Sequence, residues 1–179
     1  MHGTVSGVVN VPGCELSSKS SLCQTLTHAL LAPAAYTSTI QHHIFQAGYL
    51  RDPKRLDSSA YKKNSVIAQW NNEGDKVNAT YKDNFVKVEK FIMVKALQDT
   101  MVEPKEGEHW EFVDSTGAVV PMKDSVLYKE DSFGLQSVDK AGKLVLETTA
   151  GDHLQFSQAE LFGWLDKSRR AAGQAERSC

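Results

Sequence analysis

Two side chains in the second half of the chain have the types and order of an acid–base pair. The apolar run Phe91 to Leu97 is followed closely by Asp99, and a second run, Leu144 to Leu146, is followed by His153. A carboxylate can hold an imidazole in one tautomer while the imidazole takes a proton from a serine hydroxyl. Because both runs resemble strands, we predict the acid and the base of a triad in the chain order Ser…Asp…His.

Neither residue would carry this prediction by itself. An ordinary turn aspartate is the competing interpretation of Asp99, and a surface histidine before a helix is that of His153. Their order favours the triad, as does their place just after strand-like runs, where open α/β sheets bind ligands.

The nucleophile of such a triad usually lies in a G-x-S-x-G turn between a strand and a helix. No such pentapeptide occurs in the chain, and the nearest serine in type is Ser6, between Gly3 and Gly7. Its spacing is wrong and no apolar run precedes it. We therefore predict a base and its orienting acid without a recognisable nucleophile.

Composition excludes several classes of function. The chain has 179 residues, of which 20 are basic and 22 acidic, and its formal net charge of −2 gives no general attraction to nucleic acid. The hydrophobic fraction of 41% is sufficient for a core. No glycine-rich phosphate loop and no Cys/His spacing of a zinc site occurs, so neither a cofactor nor a metal is predicted.

The signals for the cellular compartment disagree. No apolar run reaches the length of a membrane span, and Met1 to Thr4 lacks the basic start of a signal peptide. Cys14 and Cys23 flank a polar loop and are either a small disulfide or two unrelated thiols. The sequon that begins at Asn78 is either a glycosylation site or a chance match.

The order of elements predicts an α/β sheet. The first half is predicted to be helical and irregular, with helices over Ser20 to Leu31 and Thr37 to Tyr49 and short helices among the loops of residues 57–84. The run from Phe91 is typical of a parallel strand covered on both faces. Shorter strands are expected at Trp110 to Val113, at Ser125 to Tyr128 and at Leu144 to Leu146.

The last element is predicted to be a helix. Ser157 and Glu160 fit a capping box, in which each side chain satisfies a free amide at the helix start. The core face of this helix would be formed by Leu161, Phe162, Trp164 and Leu165.

Several blocks of the chain resemble the lysosomal palmitoyl-protein thioesterase family, of the type-one kind. The resemblance runs from about Gly7 to about Leu165 and is most specific from Phe91 onward. The blocks that carry it are Asn78–Asn84, Phe91–Pro104, Leu127–Leu135, Asp139–Leu146 and Gly151–Gln155.

The resemblance implies a partial α/β-hydrolase fold with a helical insertion, lacking the N-terminal strands and the nucleophile elbow. Residues 1–90 would be the helical insertion with its acyl groove, residues 91–170 the C-terminal part of the hydrolase core, and residues 171–179 a tail. The implied location is the lysosome or the secretory pathway, although the chain has no signal peptide.

The resemblance also implies roles for individual residues. Asp99 takes the position of the triad acid and His153 that of the base, Cys14 and Cys23 fall where the family has a small disulfide, and Asn78 keeps a family sequon. The candidates for the acyl groove are Ile40, Gln41, Ile44 and Phe45, for which plain helix packing is an equally good interpretation.

The implied activity is removal of fatty acyl groups from cysteine thioesters, with S-palmitoylated proteins or peptides as substrates. We expect the chain by itself to be inactive, because the segment with the serine is missing. Two alternatives stay open, namely an incomplete gene model of a full enzyme and a non-catalytic module that binds acyl chains. The sequence leaves the oligomeric state open.

Overall fold

The computed structural model describes residues 6–9 and 32–175. Cys14, Cys23 and the helix predicted between Ser20 and Leu31 lie outside these residues. The helices are α1 (Ala32–Ala35), α2 (Ser38–His43), α3 (Ser59–Asn64), α4 (Val66–Trp70), α5 (Ala79–Phe85), α6 (Val126–Glu130), α7 (Leu135–Lys140) and α8 (Gln158–Ala175). The strands are β1 (Phe91–Ala96), β2 (Phe112–Val113), β3 (Val119–Val120) and β4 (Leu144–Thr149), and 3-10 turns cover Phe45–Tyr49, Lys105–His109 and Met122–Asp124.

The pairing of β1 with β4 is parallel and runs from Phe91 opposite Leu144 to Ala96 opposite Thr149. Met93 is fully buried, as is Ala96, which agrees with the prediction of a strand covered by protein. The strand β4 continues three residues beyond the predicted run, so the two strands have equal length and end together.

A mixed segment connects the two strands and forms the main core. The short strands β2 and β3 pair in antiparallel fashion. The buried side chains of this core are Met93, Trp110, Phe112, Met122, Leu127, Tyr128, Phe133 and Leu135. Trp110 and Phe133 are neighbours within it, with ring centroids 5.0 Å apart.

The strand predicted at Ser125 to Tyr128 is wrong, because these residues begin helix α6. Ser125 is extended and its hydroxyl oxygen accepts a hydrogen bond from the backbone N–H of Tyr128. A serine that satisfies a free amide in this way is a typical helix N-cap.

The first half of the described chain forms a helical lobe with its own core. Its buried apolar side chains are Ala35, Tyr36, Leu50, Tyr61, Ile67 and Ala68. The single helix predicted over Thr37 to Tyr49 is divided, because α2 ends at His43 and Ile44 is extended before the following 3-10 turn.

A buried ion pair in the helical lobe also contacts the main core. The Arg51 guanidinium binds the Glu73 carboxylate at 2.5 Å, and both side chains are nearly covered. The Tyr61 hydroxyl donates to the same carboxylate at 2.9 Å. The guanidinium carbon of Arg51 also lies 4.3 Å from the centre of the Phe112 ring, which belongs to the main core.

The last helix confirms the capping box but not the predicted core face. Glu160 accepts from the Ser157 N–H at 2.7 Å, and the Ser157 hydroxyl accepts from the Glu160 N–H at 3.2 Å. Leu161, Phe162 and Leu165 are exposed, whereas Trp164 is half-buried and packs against the Phe156 ring. The helix also continues to Ala175, five residues into the segment 171–179 that was predicted to be a tail. No helix among the described residues is long and apolar enough to cross a membrane.

Replacing Glu73 with glutamine should destabilise the fold. Glu73→Gln keeps the shape but leaves the Arg51 charge buried without its counter-ion, and we expect a loss of about 3 kcal/mol in the free energy of unfolding. Urea denaturation at neutral pH measures it.

The control is Asp57→Asn, since Asp57 forms an exposed pair with Lys62 at 3.5 Å. We expect no measurable change from this variant. Equal effects of the two substitutions would show that the Arg51–Glu73 pair has no special role.

Candidate active site

The register of the parallel strands places the two predicted catalytic side chains at one edge of the sheet. Ala96 and Thr149 face each other as the last paired residues. The next two backbone N–H groups after β1 still donate to carbonyls at and beyond the end of β4, at 2.9 and 3.1 Å. Asp99 and His153 therefore leave the sheet side by side.

Asp99 and His153 form a hydrogen-bonded dyad. The Nδ1 atom of His153 lies 2.8 Å from Oδ2 of Asp99. The other oxygen, Oδ1, accepts the backbone N–H groups of Met101 and Val102, each at 2.7 Å. An ionised carboxylate only accepts, so this arrangement assigns a proton to Nδ1 and leaves Nε2 as the basic nitrogen.

The two members of the dyad differ in exposure. The Asp99 side chain is fully buried, whereas 29% of the His153 side chain is exposed. The acid is thus fixed inside the protein while the imidazole reaches solvent, which is the arrangement that a general base needs to contact a substrate or a nucleophile.

A second carboxylate joins the two loops that carry the dyad. Asp152 accepts the Thr100 N–H at 2.8 Å and the Thr100 hydroxyl at 3.0 Å, which connects it to the residue after Asp99. The N–H of His153 donates to the same side chain at 2.6 Å. These hydrogen bonds, that from His153 above all, lower the pKa of Asp152. The loop positions of the two dyad residues are therefore coupled by hydrogen bonds.

The loop around His153 is folded tightly. A methyl group added at Gly151 would collide with the carbonyl oxygen of Gln155, so only glycine fits there. Leu154 has a left-handed backbone, with φ of 58°, which is uncommon for a bulky residue and is often found beside functional sites. The Thr149 hydroxyl contacts Gln155 O at 3.3 Å and the Glu160 carboxylate at 3.0 Å, which anchors the far end of the loop.

A third acidic side chain, Glu108, lies against the dyad and was not predicted. It belongs to the Lys105–His109 turn and is only 1% exposed. Its Oε2 accepts the Ala96 N–H at 2.7 Å. Burial raises the pKa of Glu108 to about 7, the Ala96 N–H opposes this rise, and the Asp99 charge adds to it. Nothing in the local sequence around Glu108 signals this contact, because its partners lie on other segments.

The three side chains lie close enough together to resemble a cation site. One ligand atom from each of Asp99, Glu108 and His153 lies within 4.8 Å of the others. Hydrogen bonds already engage these side chains, however, since Asp99 accepts two backbone amides and the His153 ring N–H, while Glu108 accepts the Ala96 amide. Hydrogen bonds thus account for the cluster, and the absence of a metal stays a prediction.

The structure gives Ser6 a different environment from that of a nucleophile. Its hydroxyl is buried and donates to the backbone carbonyls of Gly107 and Glu111, at 3.2 Å in each case. This placement agrees with the rejection of Ser6 from its sequence context.

The four candidates for the acyl groove divide into two groups. Gln41 is buried, and its amide donates to the carbonyls of Ala35 and Ala47, so it holds the helical lobe together. Ile44 and Phe45 are exposed, whereas Ile40 is half-buried. All four belong to the helical lobe, while the dyad lies at the edge of the sheet.

An aromatic cavity adjoins the exposed pair of groove candidates. The Phe45 ring packs against Tyr49, with centroids 5.2 Å apart. Tyr49 in turn lines a cavity of about 600 Å³, together with Trp70, Phe91 and Trp110. The volume and the apolar lining are in the range of small-ligand pockets.

Asn78 is exposed and begins helix α5. Its side-chain oxygen accepts the Thr80 N–H at 3.0 Å, as an N-cap does. An exposed position suits a glycan, and glycosylation at Asn78 stays a prediction.

The raised pKa of Glu108 predicts a pH-dependent stability. An unfolded glutamate ionises near pH 4.5, whereas the folded group ionises near 7. Between these values the folded state holds a proton that the unfolded state has released, so the contribution of Glu108 is complete below pH 4.5 and is lost as the pH rises through 7. The difference corresponds to roughly 3 kcal/mol. Glutamine cannot ionise, so Glu108→Gln should gain stability over the unmodified chain by up to that amount between about pH 4 and pH 8.

Urea denaturation at both pH values measures this gain. Glu106→Gln, two residues earlier on the same turn, is the control and should show no such gain. A difference between Glu108→Gln and the unmodified chain that does not change with pH would contradict the assignment of the proton to Glu108.

Comparison with known proteins assigns the chain to a family. The family model described as palmitoyl protein thioesterase matches residues 1–153. The chain is 33% identical to palmitoyl-protein thioesterase 1 of Caenorhabditis elegans, over 89% of this chain and 52% of that protein. It is 34% identical to palmitoyl-protein thioesterase 3 of Dictyostelium discoideum, over 69% of this chain and 43% of that protein.

A third relative carries a different name. The chain is 32% identical to lysosomal thioesterase PPT2-B of Xenopus laevis, over 58% of this chain and 36% of that protein. The chain spans about half or less of the length of these curated relatives. Since the family model covers most of its residues, including the whole dyad, the chain belongs to the palmitoyl protein thioesterase family.

Proposed function

We propose that this chain supplies the general base and its orienting acid for hydrolysis of fatty acyl thioesters on cysteine. The substrates would be S-palmitoylated proteins or peptides. The observation that carries the proposal is the 2.8 Å hydrogen bond between Asp99 and His153 at the sheet edge, in a chain of the thioesterase family.

The geometry supports a two-step acyl transfer. Nε2 of His153 removes the proton from a serine hydroxyl, and the serine oxygen attacks the thioester carbonyl carbon. The carbon–sulfur bond breaks, the cysteine thiolate takes the proton from the imidazolium, and an acyl-serine remains. A water molecule, deprotonated by the same imidazole, then releases the fatty acid and restores the serine. Asp99 stays ionised and stabilises each imidazolium.

The nucleophilic serine is proposed to lie outside these 179 residues. The chain has no G-x-S-x-G turn, and the buried Ser6 hydroxyl is bound to backbone carbonyls. On this proposal the chain shows no serine-dependent turnover by itself.

The proposed architecture is the C-terminal part of an α/β-hydrolase fold. Residues 91–170 would supply the last two parallel strands with the acid and the base after them, and residues 1–90 the helical insertion. The parallel pair β1–β4 supports this assignment, since acid and base follow neighbouring strands. We also propose a lysosomal location, supported by relatives that are named lysosomal thioesterases.

The acyl chain is proposed to bind apolar surface in two places. Leu97, Met101 and Leu154 are exposed and lie within two residues of Asp99 or His153, so the reacting centre has an apolar rim. Farther along the acyl chain, Ile44 and Phe45 would contribute to a groove that continues toward the aromatic cavity.

A chimaera tests the dyad, because the rest of a relative supplies the nucleophile that is proposed to lie outside this chain. Residues 7–165 replace the matching part of the Caenorhabditis elegans relative, and hydrolysis of a palmitoyl thioester is measured. We expect activity in the chimaera, and a loss of roughly 10³–10⁴-fold in kcat in both His153→Ala and Asp99→Asn, because either change removes the oriented base.

His43→Ala provides the matched control, since His43 is an exposed histidine of the helical lobe. It should leave kcat unchanged. An active chimaera in which His153→Ala retains full activity would refute the proposed function.

The groove assignment predicts a dependence on acyl length. Phe45→Asp places a charge on the proposed apolar path and should raise KM for a palmitoyl thioester about tenfold, which is roughly 1.4 kcal/mol of binding. A butyryl thioester, too short to reach Phe45, should be hydrolysed as before. Hydrolysis of both thioesters is measured with the same chimaera.

Val126→Asp serves as the control, because Val126 is exposed on helix α6 of the main core. It should change neither KM. Equal effects of Phe45→Asp on the KM of the long and the short substrate would show that Phe45 does not lie on the acyl path.

A further inference from the structure

We infer that Glu108 is a positioning residue, a neutral carboxylic acid that donates a hydrogen bond to Asp99 and holds this carboxylate aligned on His153. The inference rests on the proposed function, because it concerns the same dyad. It assigns a role to a side chain that the order of a Ser…Asp…His triad does not include.

Glu108 is held in place on the protein side of the dyad. The side chain is 1% exposed, and Oε2 accepts the Ala96 N–H at 2.7 Å at the end of β1. The carboxyl group is thus fixed to the strand that leads to Asp99. The Gly107 carbonyl accepts the Ser6 hydroxyl and the Trp110 N–H, which holds the turn itself in place.

The Glu108 and Asp99 carboxyl groups lie close to each other. A carboxylate oxygen of Glu108 lies within 4.8 Å of one of Asp99, and two buried carboxyl groups this close do not readily ionise together, so one of them holds a proton. Asp99 accepts two backbone amides and His153 Nδ1, all of which favour its ionised form. The proton therefore belongs to Glu108, which burial alone already favours in the neutral form.

Other charged side chains surround Glu108. Asp99 and His153 are the ionisable neighbours from the strand ends. The charge of Asp99 raises the pKa of Glu108, and that of His153 lowers it. On its own turn, Lys105 donates to the Leu97 carbonyl at 3.0 Å, and the His109 ring is bound to the Glu147 carbonyl at 2.8 Å. Lys105 and His109 are thus hydrogen-bonded to other groups, and neither of them replaces the proton of Glu108.

The proposed hydrogen bond from Glu108 to Asp99 depends on pH. At acidic pH Glu108 is neutral, and its O–H donates a hydrogen bond to Asp99 in addition to those from the two backbone amides and the imidazole. Above neutral pH the proton is lost, and a second negative charge appears next to Asp99. The dyad is therefore held best at acidic pH.

The test uses the 179-residue chain and NMR of its labelled side-chain carboxyl carbons. One glutamate carboxyl should titrate near pH 7, absent from the spectrum of Glu108→Gln and present in that of the control Glu106→Gln. In Asp99→Asn, where the neighbouring charge is removed, the same carboxyl should titrate lower, by roughly one unit. A buried glutamate with only a structural bond to Ala96 would not respond to Asp99 in this way.

The ring nitrogens of His153 report on positioning. In the unmodified chain at pH above the titration of the ring, their NMR shifts should show one tautomer, protonated at Nδ1. Glu108→Gln keeps an N–H donor for Asp99 and should keep this single tautomer. Glu108→Leu removes the donor and should give a mixture of both tautomers.

Two results would overturn the inference. One is a Glu108 carboxyl that titrates at the ordinary pH of an exposed glutamate, or independently of Asp99. The other is a folded Glu108→Leu variant that retains a single tautomer. Neither result affects the hydrolysis expected of the chimaera, while loss of the His153 requirement there would refute the proposed function and leave the Glu108 titration standing.

Discussion

The in-register parallel pairing of β1 with β4 is the constraint on which the site depends. Parallel strands present their carboxyl ends at the same edge, and here the two strands have equal length and end at the paired Ala96 and Thr149. Asp99 follows three residues later and His153 four residues after its own strand. A slip in register would separate the acid from the base, so burial of the strands fixes the spacing of the dyad.

The buried Asp99 carboxylate needs hydrogen-bond donors, and the loops provide them. An ionised carboxylate without partners is costly inside a protein. Asp99 obtains two backbone N–H groups from its own turn and the imidazole of His153. Asp152 plays a complementary part at the surface, where its bonds to Thr100 and to the His153 N–H connect the two loops. Stability and alignment of the dyad thus come from the same hydrogen bonds.

The parts of this arrangement differ in how far the sequence could predict them. The run before Asp99 predicted β1 because a strand buried on both faces is apolar throughout, and the capping box predicted the start of α8. Ser125 was assigned to a strand, since the short apolar run after it does not distinguish a strand from a helix whose N-cap is serine. Glu108 was not predictable, because its contact with Ala96 spans twelve residues and depends on a turn that folds back onto β1. The division of the helix at Ile44 was likewise not predicted, and there the buried Gln41 amide donates to the carbonyls of Ala35 and Ala47, on either side of the break.

The most direct test of the account is the proton between Asp99 and His153. In proton NMR of the chain, a proton on Nδ1 that is bonded to a buried carboxylate resonates far downfield and exchanges slowly with water. We predict this signal in the unmodified chain and in the exposed-histidine variant His43→Ala, and its loss in Asp99→Asn. A spectrum of the folded chain without such a signal, or one in which the signal survives Asp99→Asn, would contradict the assembly of the dyad by these two strands.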